Sequence, residues 1–523
     1  MQSMTRGTSV PSIQTISIGI ALVTTSLLTR MLPALYRLVP FGFDHGKDSL
    51  AILGMIVGHT PKLIGPWTSI PGVFFGPGWY YLLLPGYILT NGDPISAVYT
   101  LIILSVIQAL LVWKIWGITP ALLIILAPLY IITSTSAWNP YPMTLLTSML
   151  LAITWITAKK QELSLVHALI LGLTAGLGFH FSAAYAIFYI PFVLAAPIIF
   201  RTKKPFLSVL IILGGVISAF IPQLLFELRH SFVQSIALLR YFSAGEPHAL
   251  SLTKVAQVLH VISKELSLAV FPRMNGGSTI LNYFNLGIMI VLSVAFCYLF
   301  FQWWKKRDTW QRQWCIWSVL FLIIIPTIGY FFLHFNVWYV YGMAPVLTVL
   351  TGLIVARTSR PIFVAILTLF VVITSWNLYH YVTIEIPVHN NSKTMLKTKE
   401  SVLNYIVHSA QGRSFAVFTY VPDIYDYSYK YLWYRQAYNG DVFPTTVSYM
   451  PNAPEYSTDE SILSSLTANT GNMPELTFYV IEQPSDSELY QQWWSAQIYG
   501  EVLSEEIIGS DVLVRTTTTG SNE

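Results

Sequence analysis

Long apolar runs separated by short polar or basic segments occupy most of the chain. Runs of roughly 17–25 residues can cross a bilayer as helices, because only an internally hydrogen-bonded helix hides its backbone polar groups from lipid. The pattern predicts about eleven such spans, near residues 13–36, 97–116, 118–134, 141–158, 165–181, 183–200, 206–226, 284–304, 313–333, 338–356 and 361–381. The first run lacks a convincing small-residue cleavage site, so we interpret it as a retained helix and not as a cleaved signal peptide.

The basic residues predict how these spans are oriented. With a cytoplasmic amino terminus, most connections that carry Lys or Arg lie on one side, as the positive-inside bias requires. The residues placed there are Arg6, Lys114, Lys159, Lys160, Arg201, Lys203, Lys204, Lys305, Lys306, Arg307, Arg312, Arg357 and Arg360. An odd number of spans then places the segments 37–96 and 227–283 and the carboxyl terminus outside the cytoplasm.

Shorter periodic stretches occur in the two external segments. Residues 50–57 and 79–89 are apolar but too short to span, so they are predicted as helices that lie along the interface. Glycine and proline punctuate the loop between them. Residues 251–269 repeat apolar side chains at helical spacing with charges between, which predicts an amphipathic helix at the membrane surface.

Charge divides the chain into two predicted domains. Residues 1–384 carry 22 Lys/Arg against 8 Asp/Glu, whereas residues 385–523 carry 7 against 17. With 54% hydrophobic residues and a mean hydropathy of +0.58 over the whole chain, the first part is expected to be a polytopic α-helical membrane domain. The tail is expected to be a small extracytoplasmic α/β domain, with helices at 397–410 and 486–497 and strands at 414–421, 476–482 and 507–515.

Familiar motifs of soluble enzymes are missing from the sequence. Cys297 and Cys315 lie in or beside apolar runs, so they predict no disulfide framework. No dinucleotide-binding, nucleotide-phosphate, paired-cysteine zinc or serine-hydrolase motif occurs. We therefore expect no nucleic-acid partner and no organic cofactor, and the pattern leaves a divalent metal open.

The polar segment from Phe41 to Ser49 is the first place to look for chemistry. It follows the first span and holds Asp44 and Asp48, two of only eight carboxylates in the first 384 residues. A carboxylate held just outside the membrane can take a proton from an acceptor hydroxyl, which makes Asp44 the candidate general base. The alternative is that Asp44 or Ser49 only caps the following helix.

Several further polar side chains are expected to bind substrate. Arg229 ends the seventh span beside Glu227 and His230, where it could hold a phosphate with its two-pronged guanidinium or could instead pair with Glu227 at a helix end. External lysines could meet an anionic lipid head group, although single lysines are more often solvated. The predicted substrate-binding set is Lys47, Asp48, Lys62, Glu227, Arg229 and His230.

Other polar and aromatic positions are assigned to packing. His180 is expected to be a packed or interfacial histidine. The turn from Trp138 to Tyr141 is expected to begin a helix with an aromatic anchor. The tyrosine-rich run 425–438 could stack on a sugar, but we favour a buried helix face of the tail.

Short stretches of the first 380 residues resemble the GT-C membrane glycosyltransferases. The resemblance is to the prokaryotic branch related to protein O-mannosyltransferases and lipid A aminoarabinose transferases. It is carried by Phe43–Ser49, Ile64-Gly65-Pro66, Gly76–Tyr81, Trp138-Asn139-Pro140 and Pro222–His230. The resemblance implies a polyprenyl-phosphate-linked sugar donor, transfer outside the cytoplasm and a catalytic aspartate that maps onto Asp44. Many relatives carry Asp-Glu where this chain has Asp44-His45, so a second acidic role would fall to Asp48 or Glu227.

The predicted function is that of a multi-pass plasma-membrane glycosyltransferase. It would move a hexosyl or pentosyl group from the lipid-linked donor to a protein, lipid or glycan acceptor, with Asp44 as general base. The alternative from another class is a transporter or flippase for a lipid-linked or small solute, which would need a polar path near the bilayer midplane. A scaffold for the tail and a polymerase or ligase of lipid-linked glycans are further alternatives.

Overall fold

The computed structural model describes residues 12–243, 251–276, 278–422, 425–450, 459–467, 473–482, 487–497 and 499–519. The fold is mostly helical, with a small sheet near the carboxyl terminus. The helices before the tail are α1 Ile13–Leu28, α2 Met31–Leu35, α3 Phe43–Gly58, α4 Gly78–Leu89, α5 Ile95–Trp116, α6 Ile118–Leu126, α7 Pro128–Thr135, α8 Met143–Lys160, α9 Leu165–Leu177, α10 Ala183–Ala186, α11 Tyr189–Ile199, α12 Pro205–Ala219, α13 Ile221–Arg229, α14 Val233–Ser243, α15 Leu252–Ser267, α16 Thr279–Lys305, α17 Thr309–Val319, α18 Ile325–Phe332, α19 Ala344–Val355, α20 Arg360–His380 and α21 Ile386–His389.

Helix length and composition mark out the membrane-spanning candidates. Within the described residues, four continuous helices are long and apolar enough to cross a bilayer: Ile95–Trp116, Thr279–Lys305, Thr309–Phe332 and Arg360–His389. Two bent pairs, α6 with α7 and α12 with α13, raise the number to six. The other predicted spans correspond to helices that are shorter or, in the case of α8, less apolar, so the count of eleven and the orientation of the termini stay predictions. Arg6 lies outside the described residues.

Three spans that the apolar pattern predicts as single helices are broken. Residues 13–36 form α1 and α2, residues 118–134 form α6 and α7 at 57° to each other, and residues 206–226 fall in α12 and α13 at 55°. Proline stands at the first turn of α7 and of α13, where its missing N–H costs nothing but the preceding helix cannot continue. Apolar residues flank each break on both sides, which is why hydrophobicity alone did not predict them.

Arg30 is buried and makes hydrogen bonds to residues near two of these breaks, the one after α1 and the one after α6. Its guanidinium donates to the carbonyl oxygens of Ile124 at 2.9 Å and Ile125 at 3.0 Å, at the end of α6. It also donates to the carbonyl oxygen of Ser26 at 3.3 Å, near the end of α1, and to Ser134 Oγ at 2.9 Å. Carbonyls at helix ends lack partners within the helix and carry partial negative charge, so this arginine caps two helices at once.

Helix α3 corrects the prediction for the first external segment. The expected polar loop 41–49 and interfacial helix 50–57 are one helix, Phe43–Gly58, that begins after the extended residue Gly42. Asp44 lies in its first turn, where the helix dipole favours a negative charge. Helices α4 and α15 agree closely with the predicted 79–89 and 251–269, while α14 was not predicted.

The described part of the tail contains four α-helices and one mixed sheet. The helices are α22 Leu396–Ala410, α23 Tyr427–Tyr438, α24 Glu460–Leu463 and α25 Ser487–Ser495, and the strands are β1 Phe415–Tyr420, β2 Thr446–Ser448, β3 Leu476–Glu482, β4 Tyr499–Ile508 and β5 Val512–Thr519. The strand order is β2-β1-β3-β5-β4, parallel among the first three strands and antiparallel at β3–β5 and β5–β4. The two strands predicted as buried, β1 and β3, are buried along their whole length.

One predicted tail strand is wrong. The apolar run 507–515 was expected to be a single strand, but it spans a hairpin between β4 and β5. Gly509 lies in the turn with φ of +70°, a left-handed conformation that glycine adopts without steric cost. Of the predicted helix 486–497, residue 486 lies outside the described residues and the remainder agrees with α25.

The tail packs directly on α3. Gly46 lies so close to the backbone of Ser428 in α23 that a Cβ at this position would collide with it. A short antiparallel bridge joins Pro40 to Met395, and the Phe41 N–H donates to the carbonyl oxygen of Thr394 at 2.9 Å. The helix Arg360–His389 runs through the predicted domain boundary near residue 384, so that division stays a prediction.

A network of four charges connects the tail to Arg37 and Asp93 of the segment 37–96. Arg37 donates to both carboxylate oxygens of Asp93 at 2.9 Å and to Glu400 Oε2 of α22 at 2.6 Å. Arg435 of α23 lies 3.5 Å from the same Asp93 and 3.7 Å from Glu400. Two residues from each part of the chain thus share one partly buried cluster.

Candidate active site

A polar cavity of about 700 Å³ lies between the start of α3, the turn before α8 and the tail. It is lined by Pro40, Gly42, Phe43, Asp44, His45, Ser136, Trp138, Thr394, Lys399, Val421, Tyr425, Ser428 and Glu482. Carboxylates, a lysine and aromatic rings therefore meet in one space. A cavity of this size with a few converging polar groups is the usual form of a small-molecule site.

Asp44 is the accessible carboxylate of α3. Its side chain is 53% exposed, and its ion pair is with Lys47, whose Nζ lies 3.4 Å from Oδ1. The side chain borders the cavity. Such a carboxylate can approach a substrate hydroxyl, which is the first requirement for a general base.

Lys47 is a cation held in place beside Asp44. Its Nζ lies 5.3 Å from the centre of the Phe43 ring and 4.9 Å from that of the Trp67 ring. The two ring faces attract the positive charge, and the lysine side chain is only 14% exposed. The ammonium group is therefore fixed beside Asp44 and is not free in solvent, although Lys47 itself is absent from the cavity lining.

Asp48 lies one turn further along α3 in a different environment. It is buried and accepts a hydrogen bond from Trp79 Nε1 at 2.8 Å, with the Tyr80 hydroxyl at 3.5 Å. Burial raises the pKa of Asp48 to about 7, against the opposing effect of nearby Lys47. Asp48 is absent from the cavity lining, so the structure does not bring the two aspartates together there.

His45 borders the cavity next to Asp44. Its Nδ1 accepts a hydrogen bond from the Gly42 N–H at 3.4 Å, while its buried Nε2 has no hydrogen-bond partner within the described parts of the chain. Burial lowers the pKa of His45 to about 4. The ring is therefore neutral at pH 7 and does not supply the negative charge of the glutamate that many relatives carry at this position.

The other predicted substrate-binding residues lie elsewhere. Lys62 forms an ion pair with Asp459 of the tail. Glu227 accepts hydrogen bonds from the backbone N–H groups of Gln234 at 3.0 Å and Ser235 at 2.9 Å, so it caps the start of α14. None of these side chains borders the cavity, and their predicted substrate contacts remain untested.

Arg229, the last residue of α13, and His230, which follows it, both lie at the surface. Arg229 is exposed, and its guanidinium makes no hydrogen bond or ion pair to the residues that the structure describes. His230 is also exposed and stacks on Phe226 with the ring centres 4.1 Å apart. The pairing of Arg229 with Glu227, the alternative weighed from the sequence, does not occur.

His180 is buried and hydrogen-bonded, in agreement with its interpretation as a packed histidine. Its Nδ1 accepts from the Gly78 N–H at 2.8 Å, and its Nε2 donates to the carbonyl oxygen of Ala219 at 2.9 Å. A Cβ on Gly76 or Gly78 would collide with the imidazole. The Gly76-Pro77-Gly78 stretch is thus shaped to fit this ring. Tyr427, Tyr429, Tyr431 and Tyr434 of α23 are likewise buried, as favoured from the sequence, whereas Tyr438 is half-buried and Tyr425 borders the cavity.

Sequence reasoning missed two charged residues of the cavity wall, Lys399 and Glu482. Lys399 Nζ lies 2.5 Å from Glu482 Oε1, and the Tyr429 hydroxyl donates to the same oxygen at 3.1 Å. One available signal was the position of Lys399, three residues after Leu396 and four before Leu403, on the apolar face of α22. Among the residues that the structure describes, no group of three or more His, Cys, Asp or Glu side chains is arranged to hold a metal ion.

The fold is shared with solved structures. No family model and no curated protein matches the chain by sequence. ArnT from Cupriavidus metallidurans bound to undecaprenyl phosphate is similar, with 11% identity, a TM-score of 0.52 and coverage of 96% of this chain and 97% of that chain. The apo state of the same ArnT gives 12% identity, a TM-score of 0.54 and 96% coverage of each chain. ArnT is a lipid A aminoarabinose transferase with the GT-C fold, so the resemblance inferred from short motifs is confirmed at the level of fold.

Proposed function

We propose that this ArnT-like membrane protein transfers a glycosyl group from a polyprenyl-phosphate-linked donor to an acceptor hydroxyl outside the cytoplasm, with Asp44 as the general base. The observation that carries the proposal is the position of Asp44, half exposed at the rim of a 700 Å³ polar cavity in a fold shared with ArnT. One of the two similar ArnT structures holds undecaprenyl phosphate, which supports a donor of this lipid class. The sugar and the acceptor are left open.

The reaction is a single displacement. Asp44 takes the proton of the acceptor hydroxyl while the hydroxyl oxygen forms a bond to the anomeric carbon of the sugar. The bond from that carbon to the phosphate oxygen breaks, and its electron pair leaves with the polyprenyl phosphate. Attack opposite the leaving group inverts the configuration at the anomeric carbon.

Lys47 would stabilise the leaving phosphate. Its ammonium is held by two aromatic rings within 3.4 Å of Asp44, so it needs no rearrangement when negative charge develops on the phosphate oxygens. Neither Lys47 nor Arg229, the other candidate from the sequence, belongs to the cavity lining, but Lys47 contacts Asp44 directly and Arg229 does not. The polyprenyl chain would lie against apolar surface, and an apolar crevice bordered by Leu123, Phe296 and Phe370 offers such contacts.

Transfer assays with Asp44→Asn test the proposal. Membranes that contain the full-length protein would be incubated with radiolabelled polyprenyl-phosphate hexoses and pentoses. Asp44→Asn should lower the rate of transfer by about a hundredfold or more, because the amide cannot accept the proton. The matched control is Asp441→Asn, an exposed carboxylate of the tail, which should leave the rate unchanged.

Two results would contradict the proposal. Full activity of folded Asp44→Asn would remove Asp44 from its role as base. An absence of transfer from every donor with folded wild-type protein would reject the transferase assignment and favour the transporter alternative.

A further inference from the structure

The tail contributes a buried ion pair to the cavity that Asp44 borders. The side chains of Lys399 and Glu482 are 3% and 8% exposed, and both border the cavity. The ammonium of Lys399 also lies 4.3 Å from the centre of the Tyr429 ring. Removing two charges from water carries a large free-energy cost, so a pair placed at a cavity wall calls for an explanation beyond stability.

The pair keeps unused hydrogen-bonding capacity. Lys399 and Tyr429 both bond to Oε1 of Glu482, and no donor among the described residues reaches Oε2. Lys399 has three N–H donors and makes one hydrogen bond to the described residues. The wall therefore offers one free acceptor atom and free donors side by side.

The chemistry of this wall suits a neutral ligand with several hydroxyl groups. A phosphate would meet the Lys399 charge already compensated by Glu482 at 2.5 Å, and the carboxylate would repel it. A hydroxyl group can donate to the carboxylate and accept from the ammonium at the same time. The rings of Trp138 and Tyr425 border the same cavity and add the flat apolar surfaces that pack against the C–H faces of a pyranose.

We propose that Lys399 and Glu482 form a subsite for a neutral sugar ring in the cavity, distinct from the place of the donor phosphate beside Lys47. The inference rests on the proposed function and extends it, because it assigns the tail a direct part in sugar recognition. The bound ring is either the glycosyl group of the lipid donor or a sugar unit of the acceptor. The two sources share the same hydroxyl chemistry, and separate probes distinguish them.

Equilibrium binding to the full-length protein in nanodiscs tests this subsite. The donor probes are undecaprenyl phosphate alone and undecaprenyl phosphate linked to glucose, mannose, galactose or arabinose. The acceptor probes are the methyl glycosides of the same sugars. The variant is Lys399→Met/Glu482→Leu, which removes both charges together because loss of one partner alone would leave a buried unpaired charge.

A second buried ion pair of the tail provides the matched control. Lys430 and Glu460 lie 3.1 Å apart with side chains 3% and 5% exposed, but neither borders the cavity. Lys430→Met/Glu460→Leu therefore makes the same chemical change at equal burial. Lys399→Met/Glu482→Gln serves as a second test variant that keeps the side-chain volume at position 482 and also removes both charges together, and thermal melting reports whether each variant is folded.

The expected result is a loss confined to sugar-bearing probes. Both Lys399/Glu482 variants should bind the preferred glycosylated lipid or methyl glycoside about tenfold more weakly, as expected for lost hydrogen bonds to charged groups. Their affinity for undecaprenyl phosphate alone should stay within about twofold, because the pair does not touch the phosphate. The control variant should match wild type with every probe.

The outcomes separate this inference from the proposed function. Loss with the lipid probes alone assigns the subsite to the donor sugar, and loss with the methyl glycosides alone assigns it to the acceptor. Equal binding of glycosylated probes by folded Lys399/Glu482 variants and wild type, or wild-type binding that ignores the sugar, overturns the inference while transfer activity still supports the proposed function. A wild-type protein that binds no polyprenyl phosphate and transfers no sugar overturns the proposed function itself.

Discussion

Burial makes the contribution of Asp48 to stability depend on pH. The pKa of Asp48 rises to about 7 in the folded protein, from an ordinary value of 3.8. Between these values the folded state holds a proton that the unfolded state has lost. The contribution of Asp48 to stability is therefore complete below about pH 4 and is lost as the pH rises through about 7.

Asp48→Asn should isolate this effect. The amide mimics the neutral carboxyl group and can still accept from Trp79 Nε1. From pH 5 to pH 8, the free energy of unfolding of the variant should gain about 3 kcal/mol relative to wild type. Thermal unfolding of both proteins at several pH values measures this difference, and parallel curves would contradict the buried position of Asp48.

Asp48→Asn must be compared with wild type because His45 makes a contribution to the pH dependence of stability that has the opposite sign. The pKa of His45 falls to about 4 from an ordinary 6.5, so its contribution to stability is lost as the pH falls through this range. The two slopes oppose each other between about pH 4 and 6.5. The wild-type curve alone would thus hide the contribution of Asp48.

The different environments of Asp44 and Asp48 lay beyond what the sequence could predict. Both occur in one short polar segment, and the resemblance implied a catalytic role for Asp44 and a second acidic role for Asp48 or Glu227. What separates them is the packing of Trp79 and Tyr80 from α4 over Asp48, a tertiary contact across about thirty residues. The pairing of Lys399 with Glu482 was not predicted for the same reason, because it is also a tertiary contact that forms only when the tail folds.

At the scale of elements, the contact between α3 and α23 depends on a glycine. Gly46→Ala would place a methyl group into the Ser428 backbone, so α3 must shift. We expect a loss of about 2 kcal/mol in the free energy of unfolding. Transfer activity should also fall, because Asp44 lies two residues earlier on the same helix and small displacements of reacting groups are costly.

Gly287→Ala is the matched control for this substitution. A Cβ at Gly287, on α16, meets no other atom within 4 Å. Alanine favours a helix over glycine by up to about 1 kcal/mol, so this variant should be as stable as wild type or slightly more so. Melting curves and transfer rates of both variants make the comparison, and unchanged behaviour of Gly46→Ala would mean that α3 and α23 are not in close contact.

Arg30 stabilises two helix ends, and Arg30→Lys should show it. Lysine lacks the planar fork that reaches Ile124, Ile125 and Ser134 together. With carbonyls of α6 left unpaired, we expect the free energy of unfolding to fall by about 2–4 kcal/mol. Exposed Arg240→Lys should change it by less than about 0.5 kcal/mol, and equal melting temperatures for the two variants would contradict the capping role.

The hydrophobic pattern predicted the helices far better than their interruptions. Helices such as α5 and α16 agree with the predicted spans to within a few residues, because lipid-facing and buried faces are both apolar there. The break at Arg30 depends on bonds to α6 that are distant in sequence. The tail hairpin was missed because apolar residues stand on both sides of Gly509, so the run looked like one strand.

At the scale of the whole molecule, one charge network stabilises the packing of the tail on the rest of the chain. It consists of Arg37, Asp93, Glu400 and Arg435. Arg37 and Glu400 meet across two hydrogen bonds at partial burial. A double-mutant cycle with Arg37→Ala and Glu400→Ala should give a coupling of about 1–3 kcal/mol in the free energy of unfolding. The exposed pair Lys203–Glu162, 3.8 Å apart, provides a control whose coupling should stay below about 0.5 kcal/mol. Equal couplings for the two pairs would show that the network does not hold the tail.

The composition of the cavity wall also determines when the site can exist during synthesis. Asp44 emerges from the ribosome early, whereas Glu482 stands close to the end of a chain of 523 residues. Contacts between such distant residues form late, because the intervening chain must first be made and packed. Every nascent chain therefore passes through insertion with an incomplete cavity, and a ribosome that stops before the tail leaves a protein that lacks the wall formed by Lys399 and Glu482.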